Sequence, residues 1–197
     1  MKVRESGMPA EAMWDGFFSP AETLKKLGLE NQTKSVLDAG SGYGSFSVPA
    51  SEMIQGNVFA LDIEREMISV LEEKIRQQKI NNIELVQTDF AKTGFCFQDE
   101  SIEYVMLFNI LHAENPVFLT KEAFRVLSPG GKLGVIHWNY DENTPRGPPM
   151  AIRPKPEQCR DWIAQAGFSV SEKIDLPPFH YGFIGYKREL VQKHEPE

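Results

Sequence analysis

The order of local signals along this 197-residue chain predicts an α/β protein: a doubly wound, mostly parallel sheet with helices on both faces. Three observations carry that expectation. Short apolar or β-branched runs alternate with helical periodicities five times, as strands joined by crossover helices require. The first strand meets a loop with glycines at alternate positions, Gly40, Gly42 and Gly44. Asp38, Asp62 and Asp89 fall at the ends of the first three strands, at the edge where open α/β sheets bind ligands.

Taken in order, residues 1–18 carry little pattern beyond Met13, Trp14, Phe17 and Phe18, and read as a flap over the core or a lid over a substrate pocket. A single domain is expected over 19–190, with a charged, frayed tail at 191–197. Ser19-Pro20-Ala21-Glu22 is a capping box with proline at the first helical position, opening a helix through Leu24 and Leu27 that stops at Gly28. The run 35–37 is the first strand, and a helix over about 45–53 follows the glycine loop. Gly56-Asn57 turns the chain into a buried strand, Val58 to Leu61, ending in Asp62.

Residues 63–79 have helical spacing with Ile68, Leu71 and Ile75 on one face, and Asn81-Asn82 breaks the run. Strands at 83–87 and 102–109 bracket a loop containing Gly94, in which Phe95 and Phe97 turn inward. Pro116 opens a helix with Leu119, Ala123 and Val126 on one face, ended by the turn Pro129-Gly130-Gly131. A fifth strand spans 132–139, and polar, proline-rich 141–153 is a surface connection. The next helix, 156–166, turns Cys159, Ile163 and Ala166 inward before Gly167. Two strands at 168–175 and 181–187 are joined too closely for a crossover, so they are antiparallel to each other.

Composition narrows the function. The formal net charge is −7 with a pI near 5.2, and no basic stripe points to nucleic acid. No apolar run has transmembrane length and no signal-peptide core follows Met1, so the cytoplasm is the expected location. Cys96 and Cys159 lack Cys-x-x-Cys spacing, so neither a disulfide framework nor a metal site is expected.

The glycine loop carries the chemistry. A bend this sharp visits positive φ, and side chains there would hold a ligand away from the backbone. The loop feeds a helix N-terminus, where free N–H groups are expected to face that ligand. A dinucleotide fingerprint is G-x-G-x-x-G; here the third glycine comes one residue early and Ser45 holds the sixth position. Asp38 would repel a pyrophosphate and attract an ammonium group. Asp62 stands 22 residues beyond Gly40, a separation suited to a carboxylate accepting both hydroxyls of a ribose. It equally suits a cap on the following helix.

Asp38-x-Gly40-x-Gly42-x-Gly44 resembles the first motif of class I S-adenosylmethionine-dependent methyltransferases. The element order resembles their Rossmann-like seven-stranded sheet, whose last strand runs opposite to the rest, over about residues 20–187. Arg125-Val126-Leu127-Ser128-Pro129-Gly130-Gly131 is similar to the branch near ubiquinone and menaquinone C-methyltransferases. The resemblance implies methyl transfer from S-adenosylmethionine to a small molecule, with S-adenosylhomocysteine as product; the working form is expected to be a monomer or homodimer. It implies a cofactor site of Asp38, Ala39, Gly40, Ser41, Gly42 and Gly44, then Asp62, Ile63 and Met67, then Asp89 and Phe90, and finally Asn109. Asp89 would accept from the adenine amino group, or be an ordinary turn residue. Ile63 and Met67 would pack on the adenine, or on the core.

Asn109-Ile110-Leu111-His112 ends the fourth strand, where this family brings methyl and acceptor together. His112 is a candidate general base, or a polar residue orienting the loop. Asn115-Pro116 is not followed by proline and an aromatic, so base methylation of DNA loses its sequence support. Two widely spaced cysteines disfavour arsenite as acceptor. Of His137 and Trp138, adjacent on a strand, one at most faces a pocket; Trp138 is the candidate substrate wall, with Trp14 and Arg146 as further substrate contacts. Arg146 and Arg153 offer guanidinium groups to an anionic substrate, or are surface residues. A NAD-dependent oxidoreductase and a non-catalytic S-adenosylmethionine-binding protein are the alternatives.

Overall fold

The computed structural model describes residues 16–17 and 19–188. Trp14, Met13, Phe18 and the 191–197 tail lie outside the described residues. The elements run α1 (Pro20–Lys26), β1 (Ser35–Ala39), α2 (Ser47–Met53), β2 (Asn57–Asp62), α3 (Arg65–Gln78), β3 (Ile83–Gln87), α4 (Phe90–Thr93), β4 (Ile102–Phe108), α5 (Pro116–Val126), β5 (Leu127–Trp138), α6 (Pro156–Gln165), β6 (Ser169–Val170), β7 (Ile174–Leu176) and β8 (His180–Tyr186).

The sheet has the order β3-β2-β1-β4-β5-β8-β6, with β7 also pairing β8. The first five strands are parallel and β8 runs antiparallel to β5. The sheet is thus mostly parallel, with the last strand reversed as expected. The anticipated sixth strand, 168–175, is split into β6 and β7, which both pair with β8. Ser171 bridges the gap: its N–H donates to the Ile184 carbonyl at 2.9 Å, and its hydroxyl accepts from the Ile184 N–H at 2.9 Å.

Alternate strand residues feed two cores, as a sheet covered on both faces requires. Leu37, Leu61, Val105, Leu133 and Val135 pack with α5 and α6 through Leu119, Ala123, Cys159 and Ile163. Val36, Val58, Ala60, Met106 and Ile136 pack with α1, α2 and α3 through Leu24, Ala50 and Leu71. On α3 the buried pair is Met67 and Leu71, a frame shifted slightly from the expected Ile68-Leu71-Ile75 face.

Local chemistry departs from expectation at three places. The Ser19 side chain makes no cap hydrogen bond, so Pro20 at the first turn starts α1 without a capping box. Four residues after Asp89 wind into α4 rather than a loop. The Pro129-Gly130-Gly131 segment belongs to β5, with Gly130 at φ +80. Gly130 and Gly131 stay in the ladder because they exchange backbone hydrogen bonds with Lys187, each at 3.0 Å.

Candidate functional site

The order of strands reverses between β1 and its neighbours β2 and β4, so the loop after β1 opens at the switch point of the sheet. Gly40, Gly42 and Gly44 have φ of +83, +53 and +80, which glycine adopts without Cβ strain. The N–H groups of Gly40 and Ser41 both donate to the Leu61 carbonyl, at 2.8 and 2.9 Å, and that of Gly42 to Asp62 Oδ2 at 2.9 Å. These donors are tied to the end of β2 instead of standing free, as the sequence suggested. The glycines also have separate packing roles. A Cβ on Gly40 would sit 3.0 Å from Ile110 Cγ2, and one on Gly44 would overlap Leu71 of α3.

Two carboxylates lie beneath this loop. Asp38 is buried and accepts the Ser47 hydroxyl at 2.5 Å. Burial drives its pKa up to about 7 against the opposing Ser47 hydrogen bond, and the nearby Asp62 charge raises it further. Asp62 is also buried, and its Oδ1 accepts the Glu64 N–H at 2.9 Å. Burial raises its pKa, with the Glu64 and Gly42 N–H groups pulling the other way. One carboxylate therefore shapes the loop and starts the turn into α3, and both oxygens keep a further lone pair.

Asp89 is half-buried and pairs with Lys92 at 2.8 Å. Thr88, just before it, donates its N–H to the Asp62 carbonyl at 2.9 Å, so the ends of β1, β2 and β3 are stitched side by side. Ala39 and Phe90 are buried in the core, Met67 is 7% exposed and Ile63 is half-buried. The Phe90 ring reaches within 3.8 Å of where a Gly40 Cβ would be, so it underlies the loop.

Asn109 leaves β4 at φ +57, and its N–H donates to the Ile136 carbonyl at 2.8 Å. Among the described residues, the buried Asn109 amide and the Ser41 hydroxyl have no hydrogen-bond partner, nor do the ring nitrogens of His112 and His137. Buried polar atoms in native proteins are nearly always satisfied, so this is where a ligand or water belongs. The two imidazoles meet edge to face, centroids 5.6 Å apart at 80°. Burial pulls the His112 pKa down to about 4. Burial, followed by His112, His180 and Arg153, holds His137 neutral.

Trp138 points to the other face of β5. At 1% exposure it is wedged between Phe17 (centroids 5.3 Å) and His180 (4.1 Å). A Cβ on Gly147 would lie 2.9 Å from its Cγ, so Trp138 supports the 139–153 connection from below and is not an open wall. Arg153 is likewise internal. Its guanidinium donates to the carbonyls of Pro148, Asn139, Asp141 and Arg146 and to Thr144 Oγ1 at 2.5–3.2 Å. Nothing in that arrangement leaves Arg153 for an anionic substrate. Arg146 is exposed and lines a groove of about 670 Å³ with Met150 and Ile152. Of the adjacent pair His137 and Trp138, the sequence favoured Trp138 as the pocket residue; in the structure His137 is the one that meets His112.

The donor set fits a nucleoside with a cationic amino-acid arm: buried acids for ammonium and diol, and unsatisfied Ser41 and Asn109 for its polar edges. Residues 36–131 match the family model described as a methyltransferase domain. A demethylmenaquinone methyltransferase of Listeria welshimeri is 31% identical over 118 residues, covering 58% of this chain and 49% of that protein. The chain thus spans about half the length of the curated relatives it matches. A crystal structure of a SAM-dependent methyltransferase from Aquifex aeolicus superposes with a TM-score of 0.80 at 24% identity, covering 90% of this chain and 93% of that one. Phosphoethanolamine N-methyltransferase 2 of Haemonchus contortus, solved in complex with S-adenosyl-L-methionine, gives 0.71 at 16% identity, covering 86% and 52%.

Proposed function

With residues 36–131 matching the methyltransferase-domain family model and the sheet sharing its fold with a SAM-dependent methyltransferase, we propose that this protein transfers a methyl group from S-adenosylmethionine to a small-molecule acceptor. The observation that carries the reading is the glycine loop anchored by Asp62 and preceded by a second buried carboxylate, Asp38, at the switch point. In this proposal residues 19–190 act as one domain in the cytoplasm, as a monomer or homodimer. Among the described residues no helix is long and apolar enough to cross a membrane.

S-adenosylmethionine supplies an electrophilic methyl on a cationic sulfur and leaves as S-adenosylhomocysteine. Asp38 balances the ammonium group, giving up its own proton as the cation arrives. Asp62 offers its spare lone pairs to the ribose hydroxyls, and Asp89 accepts from the adenine amino group. Ile63, Met67 and Phe90 supply apolar surface near the base. Ala39, Gly40, Ser41, Gly42 and Gly44 form the cradle, and Asn109 faces the methyl-bearing end. Holding both reactants aligned and dry contributes up to about 7–11 kcal/mol in favourable cases, so little acid–base help is needed. Where the acceptor carries an acidic proton, neutral His112, on the turn after β4, takes it.

The name of the Listeria welshimeri relative suggests an acceptor of the quinol type, a hydroxylated aromatic ring methylated at carbon. Calorimetry with S-adenosylmethionine, S-adenosylhomocysteine and NAD tests the cofactor. Micromolar binding of the first two without NAD is expected, and the reverse pattern would falsify the reading. Mass spectrometry of 1,4-naphthoquinol incubated with labelled cofactor tests the acceptor.

A further inference from the structure

The geometry points to His137 as a positioning residue for His112, fixing the ring that takes a proton from the methyl acceptor; this rests on the methyltransferase reading above. His112 lies on the turn that leaves β4, and His137 is the penultimate residue of β5, fully buried. Their rings meet at 80° with centroids 5.6 Å apart, and among the described residues none of the four nitrogens has a side-chain hydrogen-bond partner. A neutral imidazole carries one N–H and one bare nitrogen. A small ring rotation joins the two by a single N–H···N bond, which fixes which His112 nitrogen is bare.

The hydroxyl beside His137 does not compete for that bond. Tyr181 lies across its ring, at 6.4 Å between centroids, but spends its hydroxyl on the Pro154 carbonyl at 3.1 Å and on Cys159 at 3.3 Å. Burial, with His112 and His180 beside it, holds His137 neutral, and His112, at 9% exposure against 0% for His137, is the ring placed to meet the acceptor.

The step balances. The acceptor O–H bond breaks with its electron pair left on the acceptor, and the proton forms a new N–H bond on His112. The acceptor's electron pair, on oxygen or relayed through the conjugated ring to carbon, makes the bond to the methyl carbon, and the S–CH3 pair returns to sulfur; a ring methylated at carbon then regains its aromaticity by shifting the proton of that carbon to the carbonyl oxygen. Positive charge passes from sulfonium to imidazolium. The acceptor class is therefore an acid that is neutral when it binds: a phenol, or an enol conjugated to the carbon that is methylated.

The test is histidine-ring ¹⁵N NMR of the full chain, free of ligand, on wild type, His137→Phe and His137→Gln. A single His112 tautomer in wild type and His137→Gln, becoming a mixture in His137→Phe, is expected. An unchanged His112 pattern in a folded His137→Phe overturns the pairing, whatever the transferase assay gives. Should His137→Phe not fold, His137→Ala takes its place, and a single His112 tautomer persisting in folded His137→Ala overturns the pairing. With 1,4-naphthoquinol as acceptor, His137→Phe should lower kcat about 10- to 100-fold at unchanged cofactor Kd. That is less than the range of about 10²–10⁴ for removing a base itself. Absence of methylation by wild type counts against the function proposed above and leaves the tautomer result to judge the pairing.

Discussion

The Ser47 hydroxyl donates to the Asp38 carboxyl at 2.5 Å in a site that both residues bury almost completely. That contact offsets part of the cost of a buried charge but not all of it, and Asp38 titrates near pH 7 instead of near 4. The folded state therefore binds a proton that the unfolded state has released over this window. Stability from this group is full below about pH 4 and is lost as pH rises through 7, by roughly 4 kcal/mol. Urea unfolding of wild type and Asp38→Asn should diverge across that range. A constant difference between them would show Asp38 ionised throughout.

The buried histidines work in the opposite direction. His112 is depressed to about 4 and His180 to about 3, both through burial. Their contribution is present above pH 6.5 and lost as pH falls through those values, by roughly 3 kcal/mol for His112. His112→Asn should flatten the acid limb of the unfolding curve while leaving the neutral-to-alkaline limb set by Asp38.

Asp62→Ala removes a partner of the proposed cofactor and an anchor of Gly42 together. Affinity for S-adenosylhomocysteine should fall by roughly 1.5–3 kcal/mol, the range for hydrogen bonds to charged groups. Calorimetry on protein shown folded by circular dichroism reads this. An unaltered Kd would take Asp62 out of the site.

Gly44→Ala combines an unfavourable φ of +80 with overlap against Leu71. A loss of about 1–3 kcal/mol is expected. Adding Leu71→Ala relieves the overlap but not the backbone strain, so the double variant should be more stable than the sum of the two single losses predicts.

Arg146 and Arg153 separate binding from architecture. Arg146→Ala should leave Tm unchanged, since the side chain is exposed, and alter the KM for the acceptor. Arg153→Ala strips donors from four carbonyls and Thr144, and should lower Tm by several degrees. Cofactor Kd should hold in both.

The alternation of strands and helices was legible because each crossover repeats one pattern, and the three acids stood where strands must end. What escaped reading depended on contacts between distant parts of the chain. The break between β6 and β7 is set by Ser171 meeting Ile184, which no local pattern announces. Arg153 read as a surface cation because its ligands are backbone carbonyls, which have no sequence signature. Gly44 read as a ligand-facing glycine, whereas its neighbour is a leucine 27 residues on. At Ser19 the local cap pattern was present and proline alone sufficed.

Because Gly40, Ser41 and Gly42 already spend their amides on Leu61 and Asp62, the cradle needs no rearrangement when a guest arrives. Little conformational freedom is left there to lose, which favours fast capture and a modest entropic penalty. Amide hydrogen exchange at these three positions should be slow in the free protein and change little on loading.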